Sequence, residues 1–294
     1  MRERSNRSPR ARLAGAMTSP PEAHLDFDHL AAQFDRFLPL IHPVTTALLE
    51  HLPALPEGAT VLDVACGTGE PGLTLARRSP GVKLVGVDQA EALLGVARGK
   101  AAREGLANVR FEGMPMHALA LPDASVDAAL SRFGLLMFGD VAASARELAR
   151  VLRLGAPFSI AVWDDPSRNT LMNALVTALQ KHLPPDHRSP MAALAAWAEE
   201  GRRARLLEEL GLSPVQSEMF GWEYRFARFD EAWALVGSMG KFTGQADLGP
   251  EAQQAVREEL HAKLEPYRSA EGRYVIPHAC RLFRGRRGEA AARA

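Results

Sequence analysis

Apolar positions along the chain follow two alternating patterns. Short, nearly continuous apolar runs are typical of strands buried on both faces, and they occur at 61–64, 82–87, 109–111, 126–130 and 158–163. Between these runs, apolar residues recur every three or four positions, as on a helix with one buried face, most clearly at 73–76, 90–103 and 141–152. Strands that alternate with helices predict an α/β domain built on a mostly parallel sheet.

The pattern changes after residue 166. Helical spacing predominates over 167–210 and again over 230–266. Two further strands are predicted, at 215–226 and at 273–283, and Pro277 in the last one indicates a bulge or an edge position. This extra helical material predicts a cap over the carboxyl edge of the sheet.

The segment before the first strand has helical spacing as well. A helix is expected from Asp28, with Phe34 and Phe37 on its apolar face. Because proline interrupts helices, this helix is expected to end at Pro43 and a second one to cover 44–52. Residues 1–22 are rich in arginine with little to bury, so we expect a disordered tail.

These patterns divide the chain into segments with different expected roles. They are an Arg-rich tail (1–22), lid helices (23–53), an α/β core (54–166), a helical cap insertion (167–210), the last strands of the core (211–284) with a helical insertion (227–272), and a polar tail (285–294).

Charge and cysteine content narrow the class of protein. The chain has 294 residues, 35 Lys and Arg against 35 Asp and Glu, and two cysteines. Zero net charge gives no support for a nucleic-acid partner, and two cysteines indicate neither a disulfide framework nor a zinc cluster. No apolar run approaches the about 18 residues that span a bilayer. We therefore expect a cytoplasmic protein, as a monomer or homodimer, with no metal.

The stretch 61–72 contains the strongest chemical signal. Its sequence, V-L-D-V-A-C-G-T-G-E-P-G, places a buried strand before a glycine loop, and Pro71 suits the first turn of a following helix. Such a strand, loop and helix direct several backbone N–H groups and a positive helix end toward one point. We interpret that point as a ligand site.

The glycine spacing leaves the ligand open. The string G-x-G-x-x-G at 67–72 is shared by dinucleotide-binding and nucleoside-binding folds. Asp88, at the end of the next strand, suits the ribose hydroxyls of either ligand. Asp63 separates the two, because a carboxylate just before the loop disfavours a pyrophosphate and favours an ammonium group.

With these residues the sequence resembles the class I S-adenosylmethionine-dependent methyltransferases, whose first motif reads D/E-x-G-x-G-x-G. Here the motif runs from Asp63 to Gly69, with Ala65 in place of the first glycine. We expect Ala65 to keep a negative φ. The resemblance implies a doubly wound, mostly parallel seven-stranded sheet of order 3-2-1-4-5-7-6, with the last strand antiparallel. The resemblance also covers the stretch R-V-L-R-L-G-A at 150–156. Within the family, the sequence is similar to the small-molecule methyltransferases of ubiquinone and menaquinone biosynthesis.

The resemblance also implies a set of cofactor-binding residues for S-adenosyl-L-methionine. The family's adenine-binding aspartate aligns with Pro115, so that hydrogen bond is missing or comes from a backbone carbonyl. The expected cofactor residues are Asp63, Ala65, Gly67, Thr68, Gly69, Asp88, Gln89, Pro115, Met116 and Ser131.

Candidate acceptor-binding residues follow from the stretch S-R-F-G-L-L-M-F at 131–138, which is similar to a pattern in small-molecule methyltransferases. The candidates are Phe34, Phe37, His42, Phe133, Met137 and Trp163, of which the first three belong to the expected lid. Ordinary core packing is the alternative for these aromatic and Met side chains.

The implied function is methyl transfer to a small, partly apolar organic molecule at oxygen or carbon. Alignment of the reactants is enough for this chemistry, so no catalytic residue is assigned, and His42, His117, His182 and His278 are nominal bases only. Asp164 and Asp165 are interpreted as a turn before Pro166 rather than as a Mg²⁺ site. Two alternatives stay open: an NAD(P)-dependent oxidoreductase, and a methyltransferase-fold protein with a non-methylating activity.

Overall fold

The structure is a computed structural model that describes residues 33–163, 165–184 and 201–288. Several expectations fall outside these residues. They are the N-terminal tail, the first part of the lid helix from Asp28, the carboxylate Asp164, the helical pattern at 191–200 and the end of the polar tail.

A seven-stranded sheet forms the centre of the molecule. Its strands are β1 (Thr60–Val64), β2 (Lys83–Asp88), β3 (Val109–Gly113), β4 (Ala128–Arg132), β5 (Pro157–Trp163), β6 (Gln216–Phe226) and β7 (Tyr274–Arg286). The order is β3-β2-β1-β4-β5-β7-β6, and β7 runs antiparallel to both of its neighbours. The predicted fold class and strand order are confirmed.

Two strand positions refine the prediction. Strand β4 extends to Arg132, while Val126 forms only an isolated bridge to Leu152. Ser131 and Arg132 therefore lie within the sheet, paired to Ile160 and Ala161 of β5, instead of following the strand.

Pro277 occupies the edge-like position that the sequence predicts. Strand β5 ends at Trp163, which pairs with Cys280, whereas β6 continues beside β7 up to Tyr274. Among the described residues, 276–279 thus extend past the end of β5 with a partner strand on one side only, so the missing N–H of Pro277 breaks no ladder there.

Helices pack on both faces of the sheet. They are α1 (Leu38–Glu50), α2 (Gly72–Arg78), α3 (Glu91–Arg103), α4 (Val141–Val151), α5 (Thr170–Leu179), α6 (Arg202–Glu209), α7 (Phe229–Ser238), α8 (Gly240–Thr243) and α9 (Pro250–Leu264). The apolar faces of α4 and α6 cover one side of the sheet. Helices α1, α5, α7 and α9 cover the other side over β5–β7, and α2 and α3 cover it over β1 and β2.

The expected break at Pro43 is wrong, because α1 is one continuous helix with Pro43 inside it. Proline removes one backbone hydrogen bond from a helix. Val44, Ala47 and Leu48 beyond it are buried, and that burial on a continuous apolar face offsets the loss. Among the described residues, no helix combines the length and apolarity needed to cross a bilayer.

Candidate functional site

The glycine loop lies between β1 and α2 and has the backbone geometry that glycine permits. Gly67 and Gly69 have φ angles of 55° and 98°, in the left-handed region. A Cβ on Gly69 would lie 2.7 Å from Leu73 Cδ1 and 3.1 Å from Ala97 Cβ, so the loop also has no room for a side chain there. These two glycines set a tight turn directly before the α2 N-terminus.

Ala65 departs from the expectation of a negative φ. Its φ is 56°, so an alanine takes the left-handed conformation at the position where the family motif has glycine. A Cβ on Gly134, after β4, would lie 2.3 Å from the Ala65 Cβ. The methyl group of Ala65 thus occupies the space that Gly134 leaves, which explains how the loop tolerates the substitution.

Asp88 lies at the carboxyl end of β2 and fixes the backbone on both sides of the site. Its Oδ2 accepts a hydrogen bond from the Gly67 N–H at 2.9 Å, and its Oδ1 accepts one from the Ala90 N–H at 3.0 Å. The side chain is half-buried. A half-buried carboxylate held next to a glycine loop is suited to bind a ligand diol.

Asp63 is fully buried behind the loop. Its Oδ2 accepts the Gly72 N–H at 2.9 Å, and a Cβ on Gly72 would lie 2.8 Å from this oxygen. Burial raises the pKa of the Asp63 carboxyl well above its usual value, although the Gly72 N–H and the Arg132 charge oppose the shift. Oδ1 has no hydrogen-bond partner among the described residues. Asp63 thus holds the start of α2, and its contact with a ligand ammonium stays a prediction.

Arg132 is a second buried charge, which the sequence did not single out. Its guanidinium donates to Thr45 Oγ1 on α1 and, at 3.0 Å, to the backbone carbonyl of Glu70 in the loop. Burial lowers the pKa of Arg132 to about 10, while nearby Asp63 and Glu70 oppose that shift. The group joins three parts of the site: β4, the glycine loop and α1.

Ser131 lies beside Arg132 and is fully buried. Its hydroxyl donates to the Val64 carbonyl at 2.7 Å and accepts the Leu135 N–H at 3.0 Å. These bonds hold the ends of β1 and β4 together, which is a supporting role next to the loop.

The segment before α1 packs directly on the glycine loop. Thr68 Oγ1 donates to Asp35 Oδ1 at 2.6 Å, and Lys100 Nζ donates to the same oxygen at 2.7 Å and to the Thr68 carbonyl at 3.0 Å. A Cβ on Gly67 would lie 3.8 Å from the Phe34 ring. The predicted lid residue Phe34 is therefore at the loop, with Asp35 as an attachment that the sequence did not reveal.

The expected adenine side follows β3. Met114 is buried and donates its N–H to the Asp88 carbonyl at 3.0 Å, while Pro115 and Met116 are half-buried. The Pro115 carbonyl accepts the Ala118 N–H at 3.1 Å in a turn, and Gln89 is exposed. The structure brings these four residues to the same edge as Asp88, with no carboxylate at position 115.

A row of aromatic rings extends from the end of β4 to β6. Phe133 and Trp163 are stacked with ring centroids 3.9 Å apart, and Trp163 lies 5.9 Å from Trp222. Phe133 has a φ of 61°, an uncommon conformation for a bulky residue, which is found mainly at functional sites. Phe133 and Trp163 are half-buried, as expected for residues that contact an acceptor.

The other acceptor candidates lie elsewhere. Met137 is buried in the core beside α4, and Phe37, directly before α1, is partly buried against the core that α1 covers. His42 is exposed on α1. The core alternative therefore describes Met137, and His42 is not brought to the aromatic row.

The contacts and burial of Asp165 and of three histidines describe the remaining candidates from the sequence. Asp165 Oδ1 accepts the Ser167 N–H at 2.8 Å at the start of a 3₁₀ turn, so the turn interpretation holds for Asp165. His117 and His182 are exposed. His278 is buried against Tyr224, with ring centroids 3.7 Å apart, and burial lowers its pKa to about 4.

Comparison with known proteins finds similarity to methyltransferases. The family model described as a methyltransferase domain matches residues 61–155. Over 124 residues the chain is 36% identical to the demethylmenaquinone methyltransferase of Thermus thermophilus, covering 42% of this chain and 56% of that protein. It is 33% identical over 129 residues to the nocamycin O-methyltransferase of Saccharothrix syringae, covering 43% and 46%. The chain thus spans about half the length of the curated relatives it matches.

The fold is shared over a longer region. The crystal structure of the YcgJ protein from Bacillus subtilis superimposes with a TM-score of 0.56 at 20% identity, covering 84% of this chain and 99% of that one. The similarity therefore includes the sheet and most of its helices.

Proposed function

We propose that the chain is a class I S-adenosylmethionine-dependent methyltransferase, and that it transfers the methyl group of S-adenosylmethionine to a small, partly apolar organic molecule. The acceptor atom is an oxygen or a carbon. Curated relatives of both kinds support this range, since they include a ubiquinone/menaquinone biosynthesis C-methyltransferase from Geobacter sulfurreducens and the nocamycin O-methyltransferase.

The observation that carries the proposal is the joint geometry of Asp88 and the glycine loop. Asp88 holds the Gly67 N–H at 2.9 Å while it remains half-buried at the carboxyl end of β2, where open α/β sheets bind ligands. The loop is free of side chains at positions 67 and 69. The donor set fits a nucleoside, and the unpaired buried oxygen of Asp63 fits a nearby positive charge better than a diphosphate.

The residues of the chain then contribute position rather than chemistry. The sulfonium of the bound cofactor supplies an activated methyl group. Asp88 would bind the ribose hydroxyls, the loop amides would hold the amino-acid end, and Ser131 would keep β1 and β4 in register. Fixing two reactants in line contributes up to roughly 7–11 kcal/mol to such a reaction.

The acceptor would lie against Phe133 and Trp163. Their stacked, half-buried rings offer an apolar surface next to the β4 end, and the helical elements after β5 would form the cap that completes the pocket. An apolar surface of this kind selects a small organic acceptor over a protein or nucleic acid.

Binding of the cofactor product tests the proposal. Isothermal titration should show binding of S-adenosylhomocysteine and no binding of NAD(H). Tight binding of NAD(H) alone would reverse the conclusion. Asp88→Ala should weaken the binding of S-adenosylhomocysteine at least tenfold, since the two hydrogen bonds from the ribose hydroxyls to a charged carboxylate are lost. The exposed Asp230→Ala is the matched control and should change nothing.

Methyl transfer itself is tested with labelled cofactor. Purified protein incubated with methyl-labelled S-adenosylmethionine and a panel of small hydroxylated and conjugated acceptors should transfer label to at least one of them. Binding of S-adenosylhomocysteine without any label transfer across a broad panel would indicate a protein that uses this fold for something else.

A further inference from the structure

Arg132 contacts the two sides of the candidate site at once. Its guanidinium bonds the Glu70 carbonyl, in the loop that precedes α2, and the Thr45 hydroxyl, in the middle of α1. Both Arg132 and Thr45 are buried, with 8% and 1% of their surface exposed.

A buried guanidinium restricts the groups it contacts. Here its two acceptors are neutral oxygens, a hydroxyl and a carbonyl, while the carboxylate of Asp63 lies close enough to favour the positive charge. If either acceptor moves away, a charged donor is left buried and unpaired, which is strongly unfavourable. The rigid, planar fork of arginine therefore ties the position of Thr45 to that of Glu70.

Helix α1 borders the acceptor side. The Leu40 carbonyl accepts a hydrogen bond from Trp222 Nε1 at 2.9 Å, and Trp222 continues the aromatic row of Phe133 and Trp163. Movement of α1 thus moves the wall against which the acceptor would lie. Movement of Glu70, in contrast, would change the glycine loop, which lies on the cofactor side.

We propose that Arg132 is a positioning residue that couples the glycine loop to α1, so that filling the loop with the cofactor orders the acceptor wall. This inference rests on the proposed function, because it requires the loop to bind S-adenosylmethionine. Coupling between two sites is reciprocal. An acceptor bound against this wall should therefore tighten nucleoside binding by the same factor by which the nucleoside tightens binding of the acceptor.

Hydrogen exchange with S-adenosylhomocysteine as the probe tests the coupling. In the wild-type protein, saturation should slow amide exchange severalfold in 65–76 and also in 38–50. Thr45→Val removes the hydroxyl that Arg132 contacts at nearly constant volume, and it should abolish the slowing in 38–50 while that in 65–76 remains. The same substitution should also weaken the binding of S-adenosylhomocysteine severalfold.

Three variants separate coupling from mere destabilisation. Thr45→Ser keeps the hydroxyl and should retain the coupling. Thr46→Val makes the same chemical change one residue along α1, away from Arg132, and should behave as wild type. Arg132→Lys keeps the charge but not the planar fork, and should lose the slowing in 38–50, as Thr45→Val does.

The outcomes distinguish the two proposals. Absence of any S-adenosylhomocysteine effect on 65–76 in the wild type would remove the proposed function and this inference with it. Slowing of exchange in 65–76 without a change in 38–50, or unchanged coupling in Thr45→Val, would overturn the role of Arg132 alone.

Discussion

At the scale of single residues, Ala65 and Gly134 form a pair that shares one space. Ala65 has a left-handed backbone at φ 56°, and its methyl group lies where a Cβ of residue 134 would come within 2.3 Å. With Ala65 reduced to glycine, the atoms nearest to a Cβ at 134 would be the carbonyl oxygen of residue 65 at 3.5 Å and its Cα at 3.6 Å, which are ordinary contacts.

This geometry predicts a strong coupling in stability. Gly134→Ala alone should cost about 1–3 kcal/mol of unfolding free energy, as overpacking does. Ala65→Gly alone should be neutral or stabilising by about 1 kcal/mol, because it relieves the left-handed alanine. In the double variant the cost should largely disappear, and chemical denaturation of all four proteins measures this. Additive effects would contradict the shared space.

His278 predicts a pH dependence of stability. Burial lowers its folded pKa to about 4, from 6.5. Between these pH values the unfolded chain binds more protons than the folded chain. The contribution of His278 to stability is therefore fully present above pH 6.5 and is lost as the pH falls toward 4. The loss from this group amounts to about 3 kcal/mol.

The difference between two variants isolates this contribution. His278→Phe keeps a ring against Tyr224 and should show a shallower loss of stability between pH 6.5 and 4 than the wild type. The exposed His182→Gln should follow the wild type. An identical pH profile for His278→Phe and wild type, measured by denaturant titration, would contradict the assigned shift.

At the scale of elements, the segment before α1 has its own attachment to the loop, separate from Arg132. Asp35 accepts hydrogen bonds from Thr68 and Lys100, and its carboxylate is partly exposed. The attachment involves charged groups at the loop surface, so salt weakens it.

Loss of this attachment should open the segment locally. Asp35→Ala should speed amide exchange in 33–37 about tenfold, because two charge-assisted hydrogen bonds are removed. The global unfolding free energy should change by less than about 1 kcal/mol, as is usual for exposed ion pairs. The control Asp230→Ala, which removes the exposed pair with Arg257, should leave this exchange unchanged.

The strands were easier to predict than the helices around them. Each buried strand has its own apolar run, so its residues identify it without knowledge of the partners. The break expected at Pro43 fails because the burial of α1 against β4–β6 is a tertiary effect that a local rule for proline cannot include. The start of β4 shifts for a similar reason, since the register with β1 and β5 decides where pairing begins.

At the site, local and distant contacts differ in the same way. Asp88 and the two loop glycines follow from a motif of adjacent residues. Arg132, Asp35 and Trp222 do not, because their partners lie 33 to 182 positions away along the chain. The positive φ of Ala65 depends on Gly134, which the motif does not contain.

At the scale of the whole molecule, the two cysteines lie in separate cores on the same face of the sheet. Cys66 packs with β1, β2, α2 and α3, and Cys280 packs beneath α1 and α5. Both are buried thiols, and burial raises the pKa of Cys66 well above its usual value. Each thiol therefore reports on the opening of its own core.

Thiol labelling should resolve these two openings. In native buffer both cysteines should react orders of magnitude more slowly than in denaturant. Saturating S-adenosylhomocysteine should slow the reaction of Cys66, in the glycine loop, more than that of Cys280. Mass spectrometry of single-cysteine variants measures each rate, and equal slowing of both would indicate that the molecule opens only as a whole.

The end of β7 has a consequence for self-association. Residues 276–279 run past the end of β5, and among the described residues only β6 pairs with them, whereas Tyr274 also forms a bridge to Arg268. An extended polypeptide from another molecule that approached the unpaired side of these residues would meet Pro277. Proline has no amide hydrogen to donate there, and its ring projects toward that side. We expect proline at this position to hinder intermolecular β-addition, so a chain that lacked it should form aggregates more readily.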